Sequence, residues 1–323
     1  NRKLASLYFG GGTPSLAPLG VIDAVIRACE RLWGFAPEPE ITIEANPTDA
    51  EQLHFEALAN AGVNRLSLGV QSLRDDALAF LGRDHDAAGA RRAIETARRI
   101  FNRTTFDLIY ARPGQTLDAW REELSEALDF GAGHLSLYQL TIEPGTAFAK
   151  AVNAGRWAPA NEDQCADQFD LAQEMTAAAG LPAYEISNHA SPAEHSRHNL
   201  IYWNYHDYIG VGPGAHGRLS IDGRRLATEA AKAPADYLAG GADGYAIEQL
   251  DAAAQLVERL TMGLRLTDGI TLYADDYFYA DEARTKRLHA LIADDLVTLD
   301  CGRLRATANG RRVLNAVLFE LLR

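Results

Sequence analysis

Cysteine is scarce in this sequence, which has only Cys29, Cys165 and Cys301 among its 323 residues. The three are odd in number and far apart, so they form neither a disulfide framework nor a CxxC metal site. We expect reduced thiols, mostly buried.

Basic charge and long apolar runs are also lacking. Lys and Arg total 31 against 44 Asp and Glu, the net charge is −13, and no basic cluster occurs, so a nucleic-acid partner is disfavoured. No apolar run is long enough to span a bilayer, and the opening NRKLASLYFGGG does not resemble a secretory signal. These absences predict a cytoplasmic protein.

Short aliphatic runs alternate with stretches of helical periodicity. This alternation predicts βαβ units and a parallel sheet. The predicted strands are LASLYF (4–9), ITIEA (41–45), RLSLGV (65–70), TFDLIY (105–110), HLSLYQL (134–140) and AYEIS (183–187).

Polar residues stand at the end of almost every predicted strand, including Glu44, Gln71, Thr141 and the pair Asn188 and His189. A barrel gathers all its strand ends around one cavity, whereas an open sheet offers a single crevice. The fold class predicted is therefore α/β, with a partial TIM-like barrel favoured over a Rossmann sheet.

The predicted domains are a partial barrel over 1–217, a Gly/Ala-rich linker over 218–245 and a smaller α+β domain over 246–323. The last domain is similar to a winged helix, with a strand turn near Cys301 and Gly302 and a final helix from about Asn309. The acidic balance favours an interaction or lid role for it over nucleic-acid binding.

Two glycine clusters call for comparison with nucleotide-binding motifs. Gly10–Pro14 allows a sharp turn with exposed backbone groups, but Pro14 stands where a P-loop needs Lys. Gly210–Gly214 follows no clear strand and opens no amphipathic helix, which argues against a dinucleotide fingerprint.

Glu44, Gln71, Arg83 and Asp107 form a set suited to a zwitterionic nucleoside. Carboxylates accept from an ammonium or from ribose hydroxyls, and Arg pairs with a carboxylate. The same four side chains equally suit an ordinary salt-bridge network at a barrel mouth.

Five of the nine histidines lie between residues 189 and 216, interleaved with tyrosines, and the segment HNLIYW (198–203) is at their centre. A neutral imidazole can ligate heme iron, and Tyr and Trp offer flat apolar faces. The alternatives are a loop held by aromatic packing and a zinc site from Glu194, His195 and His198, whose spacing matches no standard motif.

Seven segments in order resemble one family: FGGGTPS, IEANP, GVNRLSLGVQS, GRDH, FDLIYARPGQT, LSLYQLTIEPGT and HNLIYW. They are similar to the oxygen-independent coproporphyrinogen-oxidase-like radical S-adenosylmethionine (SAM) proteins, and most similar to the HemW-type heme chaperones. The resemblance covers about two thirds of the chain and continues into the C-terminal module.

The resemblance implies residue roles. SAM-lining positions fall on Gly11, Gly12, Thr13, Glu44, Gln71, Arg83 and Asp107, with Thr141 and His216 as further cofactor-lining positions. The heme-associated HNxxYW motif falls on His198, Asn199, Tyr202 and Trp203. This chain departs from the common YGLPGQT at Ala111 and Arg112, which puts cofactor or partner contacts there in doubt.

The family's CxxxCxxC loop, which binds a 4Fe-4S cluster, does not occur in this sequence. We expect that the chain lacks an N-terminal segment carrying these cysteines, so that no residue of this chain is a metal ligand. The alternative is a degenerate, non-redox relative.

The resemblance implies a heme chaperone that binds heme and SAM and delivers heme to acceptor proteins, some of them respiratory. It is compatible with a homodimer and with peripheral membrane contact through the acceptors. Two alternatives stay open: radical decarboxylation of coproporphyrinogen III, and a non-catalytic porphyrin-binding scaffold.

Overall fold

The computed structural model describes residues 2–323, and its backbone divides into two compact units. One unit ends at His198 and the other is Asn199–Arg323. The division therefore falls earlier than the barrel boundary at 217 that the sequence predicts. None of the helices within residues 2–323 combines the length and apolarity needed to cross a membrane.

The first unit contains a six-stranded sheet whose strands follow chain order. The first five run parallel, as the sequence predicts for a partial barrel. The strands are β1 Leu4–Phe9, β2 Phe35–Ala45, β3 Arg65–Gln71, β4 Arg103–Tyr110, β5 His134–Gln139 and β6 Asn188–Ala190.

Helices connect the parallel strands and cover one face of the sheet. That face is apolar: Ile43, Leu66 and Phe106 are almost completely buried against the helices. The helices are α1 Leu19–Leu32, α2 Asp49–Gln52, α3 Phe55–Asn60, α4 Asp75–Phe80, α5 Ala87–Ile100, α6 Leu117–Asp129, α7 Ala147–Asn153 and α8 Glu162–Ala178.

Side-chain caps fix where several of these helices begin. Thr116 accepts from the Ala119 N–H at the start of α6. At α8, Asn161 and Gln164 bond reciprocally to each other's backbone N–H, which makes a capping box. These caps place the start of α6 directly after the loop that follows β4, and the start of α8 directly after the loop that follows α7.

The sixth strand differs from the prediction. The predicted strand over 183–187 is wrong, because β6 occupies Asn188–Ala190 and runs antiparallel to β5. Asn188 and His189 consequently pair with Ser136 and Leu135 along β5. They lie within a strand of reversed direction, so they do not contribute to the mouth formed by the parallel strand ends.

The predicted linker over 218–245 is wrong. This stretch belongs to a three-stranded antiparallel sheet, with β7 His216–Ile221, β8 Arg224–Ala230 and β9 Tyr245–Gln249, plus α10 Pro234–Gly240. Asp222 and Gly223 both have positive φ, 49° and 75°, in the two-residue turn between β7 and β8. Asp-Gly is a strong hairpin signal that the Gly/Ala-rich composition conceals.

The rest of the second unit follows helix–strand–helix–hairpin order, the layout of a winged helix. Its second sheet has the order β10, β12, β11. A hairpin turns at Cys301 and Gly302, and the predicted final helix is split in two. The elements are α11 Ala252–Gly263, β10 Ile270–Thr271, α12 Glu282–Ala293, β11 Val297–Asp300, β12 Arg303–Ala306, α13 Ala308–Arg312 and α14 Leu314–Leu322.

The segment that carries HNLIYW is a helix, α9 Arg197–Trp203, where the sequence suggests a loop. It begins at the end of the first unit and continues into the second.

Candidate functional site

A cavity of about 220 Å³ opens at the carboxyl ends of β1 to β4. Parallel strands bring these ends to one edge of the sheet, where the following loops supply binding groups. Six of the residues assigned to the cofactor line the cavity: Gly12, Thr13, Glu44, Gln71, Arg83 and Asp107. The structure therefore brings together the four polar side chains of the predicted nucleoside set.

The glycine turn after β1 is held against β2. Gly11 and Gly12 have φ of 79° and 58°, a conformation that favours glycine. The Gly11 N–H donates to Glu44 Oε2 at 3.1 Å, and the Asn46 amide lies 3.5 Å from Thr13 Oγ1. These contacts place backbone groups of the turn at the cavity wall.

The buried carboxylate of Glu51 links the segment after this turn to the end of β2. Ser15 donates to Glu51, which also accepts from the Asn46 N–H at 2.7 Å. Both Ser15 and Glu51 are buried. The sequence interpretation missed Glu51 because it lies in the short helix α2, beyond the strand end.

Asp107 is the acid whose pKa is raised most clearly in this cavity. The pKa of Asp107 is raised to about 7, chiefly by burial, and the negative charge of Glu44 acts in the same direction. A hydrogen bond from Ser136 opposes these effects. The carboxyl group therefore gains and loses a proton close to neutral pH, where a bound cationic group would favour its charged form.

Gln71 is directed by a break in strand pairing. The register between β3 and β4 shifts between Leu68 and Gln71, and Gln71 has φ of 68°. A Cβ on the neighbouring Gly69 would approach the Gln71 amide nitrogen to 3.2 Å. Glycine at 69 therefore leaves room for the Gln71 side chain beside the cavity.

Two further positions implied by the family resemblance have other surroundings. Thr141 is exposed beyond β5, and its hydroxyl donates to the Gln139 carbonyl at 3.3 Å. It does not line the cavity, so its assignment to the cofactor has no support from this geometry. His216 belongs to the second unit, where its Nε2 lies 3.9 Å from Glu229, and its assignment stays a prediction.

The departure at Ala111 and Arg112 is accommodated inside the fold. Arg112 is buried and forms an ion pair with Glu123 at 2.5 Å. It also donates to Ser72 at 2.9 Å, while Ala111 takes the left-handed conformation with φ of 56°. Arg112 therefore has a structural role, because it pairs with Glu123 inside the fold.

His198 points into the first unit. Its ring stacks on Tyr8 of β1, with centroids 4.3 Å apart and an interplanar angle of 15°. Its Nδ1 lies 3.5 Å from Ser6 Oγ. Burial lowers the pKa of His198 to about 4, so the imidazole is neutral at physiological pH.

Tyr8 connects this histidine with the cavity. Its hydroxyl donates to Glu44 Oε1 at 2.8 Å, while its ring carries His198. A Cβ on Gly10 would come within 2.9 Å of the Tyr8 ring, so glycine at 10 makes room for it. One aromatic side chain therefore contacts both candidate sites.

The start of α9 is anchored by a buried carboxylate, Glu40 of β2. Glu40 accepts from the backbone N–H of Arg197 and of His198, both at 3.0 Å. Arg103 donates to the same carboxylate at 2.8 Å, and Arg65 lies 4.0 Å from it. This network fixes the backbone that carries His198.

The other three residues of the heme-associated motif belong to the second unit. Tyr202 meets Tyr208 edge to face with centroids 4.4 Å apart, and Arg265 lies over the Trp203 ring at 5.4 Å. Asn199 is partly exposed. The tyrosine and tryptophan are therefore held by aromatic and cation–π contacts.

The other histidines of the cluster do not converge on a metal site. His195 stacks on Tyr184 at 4.3 Å, and its neighbour Glu194 pairs with Arg103 at 3.1 Å. His206 is exposed, and His189 is buried beside β5. Within residues 2–323 no three His, Cys, Asp or Glu side chains are placed to hold a metal ion, so the zinc interpretation is wrong.

The cysteines do not fit a 4Fe-4S cluster. Cys29 and Cys165 lie in α1 and α8, and Cys301 is in the hairpin of the second unit. Burial raises the pKa of both Cys29 and Cys165, which disfavours the thiolate form that iron requires. The described residues thus supply the nucleoside cavity but no ligands for the cluster.

The inner face of the sheet is polar, a property that the sequence interpretation missed. Every second residue along β2 is polar at Glu40, Thr42 and Glu44, and β4 repeats this at Arg103, Thr105 and Asp107. Period-two alternation puts these side chains on one face of the sheet. The pattern was visible in the sequence and would have identified Glu40 as part of the interior.

Two family models match the chain. Residues 1–127 match the radical SAM superfamily, and residues 250–313 match the HemN C-terminal domain. The two matches fall in the first and second units, respectively.

Curated relatives match along nearly the whole chain. The mouse protein radical S-adenosyl methionine domain-containing protein 1, mitochondrial, is 36% identical over 99% of this chain and 76% of its own length. The heme chaperone HemW of Mycobacterium tuberculosis strain H37Rv is 34% identical over 98% of this chain and 80% of its own length.

A solved structure supports the fold independently. Coproporphyrinogen III oxidase (HemN) from Escherichia coli superimposes with a TM-score of 0.79, covering 99% of this chain and 78% of that one. At 22% sequence identity this likeness establishes the architecture alone.

Proposed function

The chain belongs to the radical SAM superfamily, in the group that contains the HemW heme chaperones, and from this membership we propose that it is a heme chaperone. It binds SAM in the cavity at the strand ends, binds heme through the HNLIYW helix, and delivers heme to acceptor proteins. Membership also implies a 4Fe-4S cluster as the partner of SAM. The cysteines among the described residues do not fit that cluster.

The donor set of the cavity supports the SAM assignment. Arg83 pairs with the methionyl carboxylate, while Glu44 and Asp107 accept from the ammonium group or from ribose hydroxyls. Gly12 and Thr13 offer backbone groups without a bulky side chain in the way. SAM supplies a sulfonium cation, which two carboxylates in one cavity favour.

The observation that carries the heme assignment is the state of His198. Iron binds the neutral imidazole, and a pKa of about 4 keeps His198 neutral across the physiological range. Since Nδ1 faces Ser6 Oγ, we propose Nε2 as the ligand atom. An imidazole nitrogen would bind iron in the plane of its ring, so the stacking of the ring face on Tyr8 does not oppose this ligation.

Hemin titration tests this proposal. The purified chain should give a Soret shift on binding hemin, and His198→Ala should weaken binding about tenfold or more because an axial ligand is lost. His206→Ala is the matched control, since His206 is exposed in the same His-rich segment. Identical spectra for the His198 variant and the wild-type protein would remove His198 from the site.

Calorimetric titration with SAM tests the cofactor site. Arg83→Met should reduce the affinity about tenfold, because one charge-assisted contact with the carboxylate is lost. Arg83 is exposed, so the variant should fold. Arg121→Met, on the exposed face of α6, should bind SAM as the wild-type protein does. Unchanged affinity of the Arg83 variant would contradict this role.

The heme acceptors, a homodimer, peripheral membrane contact and cytoplasmic location remain predictions. The relatives do not share one compartment, since the mouse protein is named as mitochondrial. Decarboxylation of coproporphyrinogen by the cluster-loaded protein would overturn the proposal in favour of the porphyrinogen enzyme.

A further inference from the structure

A second cavity of about 220 Å³ lies within the second unit, and the proposed function gives it no role. Its wall combines aromatic side chains, Trp203 and Tyr273, with two cationic ones, Arg259 and Arg303. Trp203 ends α9 and is the last residue of HNLIYW.

The indole N–H of Trp203 is a buried donor that finds no acceptor among the described residues. Buried polar groups are almost always paired, so this donor is an exception beside a cavity wall that the Trp203 ring helps to form. Arg265 lies over the ring and keeps its surroundings electropositive.

Arg303 is fixed in place without a carboxylate partner. Its Nε donates to the Asp268 carbonyl at 2.6 Å, and its Nη1 donates to Thr271 Oγ1 at 2.9 Å. Across residues 2–323 no ion pair joins Arg303 to an acidic side chain, whereas Arg259 pairs with Asp276 at 2.7 Å. The Arg303 guanidinium is thus fixed in place, and no acidic side chain among the described residues compensates its positive charge.

We propose that this cavity binds the carboxylate of an amphipathic molecule. The Arg303 guanidinium donates to the carboxylate, and the rings of Trp203 and Tyr273, which line the cavity, pack against the apolar body. The contacts described above support the binding of a carboxylate in this cavity. The identity of the physiological ligand as a porphyrin propionate rests on the proposed function.

Nitrogen-15 NMR with 3-phenylpropionate tests the cavity without heme. The indole N–H signal of Trp203, identified by its loss in Trp203→Phe, should move on titration and saturate. Arg303→Met should weaken this binding about tenfold. Arg305→Met is the matched control, because Arg305 donates to the same Asp268 carbonyl from the same strand but does not line the cavity.

Hemin and its dimethyl ester then identify the source of the carboxylate. The ester keeps the macrocycle and iron but removes both negative charges. Wild-type protein should bind hemin about tenfold more tightly than the ester, and Arg303→Met should abolish this difference. A full difference retained in the variant would assign propionate recognition elsewhere.

The outcomes separate this inference from the heme proposal. If phenylpropionate moves the Trp203 signal but hemin does not bind, the cavity stands and the heme function fails. If hemin binds while the Trp203 signal is unmoved by phenylpropionate, the cavity assignment is overturned and the heme function stands.

Discussion

Glu44 is the residue at which the two candidate sites meet. One of its carboxylate oxygens accepts from the Gly11 N–H of the glycine turn, and the other accepts from the Tyr8 hydroxyl. Tyr8 in turn carries the ring of His198. A change in the position of Glu44 on cofactor binding would therefore shift Tyr8 and, through it, the ring of His198.

Tyr8→Phe separates the two contacts of Tyr8. It removes the hydroxyl that orients Glu44 but keeps the ring that stacks on His198, so SAM affinity should fall about threefold to tenfold while hemin affinity is unchanged. Calorimetry with SAM and a Soret titration measure the two effects. Equal loss of both affinities would indicate general disruption instead.

Asp107→Asn should make the protein more stable at alkaline pH. The folded-state pKa of Asp107, about 7, lies above the unfolded value, so folding favours the protonated acid, and stability is lost as pH rises from about 4 to about 7. The variant should exceed the wild-type protein by roughly 4 kcal/mol at pH 8, and the difference should nearly vanish at pH 4.

Urea denaturation at both pH values measures this difference. Asp167→Asn, an exposed substitution on α8, should show no such pH dependence. A variant at 107 that is less stable than wild type at pH 8 would show that the charged form is stabilised in the fold.

At the scale of elements, the buried carboxylate of Glu40 joins β2 to α9. Burial acts to raise the pKa of Glu40, but the charge of Arg65 and the N–H groups of α9 together hold this pKa below its usual range. The carboxylate therefore stays ionised down to acidic pH and caps the first turn of α9.

Glu40→Gln should destabilise the protein by about 3–5 kcal/mol, because it leaves the buried Arg65 without compensating charge and removes one of the two carboxylates that pair with Arg103. Hemin binding should weaken although His198 is intact, since the backbone that carries it loses its anchor. Chemical denaturation and Soret titration measure the two effects. Glu38→Gln, two residues away on the same strand but exposed, should change stability by less than about 0.5 kcal/mol.

The elements show why sequence prediction succeeds for some features and fails for others. The parallel strands β1 to β5 contain short runs rich in aliphatic and β-branched residues that are bounded by turn residues, so their positions follow from local pattern. The start of β2 at Phe35, six residues before the predicted run over 41–45, was not predicted. The short strand β6 depends on antiparallel pairing with the start of β5, a tertiary contact that no local pattern encodes. The short helix α9 depends likewise on Glu40, which lies far away in sequence.

The second glycine cluster serves packing. A Cβ at Gly210 would lie 2.1 Å from the His216 carbonyl oxygen, so the chain can approach β7 here only with glycine. This close backbone approach explains the glycine at 210 without a dinucleotide. The tight spacing itself could not be predicted, because it arises from the pairing of Tyr208 with Arg218.

At the scale of the whole molecule, the chain combines a polar-lined half-barrel with a unit that ends in a winged-helix layout. The strand-end cavity was predictable because Glu44, Gln71, Arg83 and Asp107 stand at or near predicted strand ends. The role implied for Thr141 has no support from the geometry, since an ordered resemblance gives positions along the chain and not their distances in space. The role implied for His216, in the second unit, stays a prediction.

The central claim is that a neutral, buried His198 binds heme, and a hemin titration at pH 5 of the wild-type protein and His198→Ala tests it most directly. An ordinary histidine is largely protonated at pH 5, whereas His198 should remain mostly neutral. The account predicts a wild-type Soret shift at pH 5 close to that at pH 7, weakened about tenfold or more in the variant. A shift of equal size in the variant, or its disappearance from the wild-type protein at pH 5, would contradict the account.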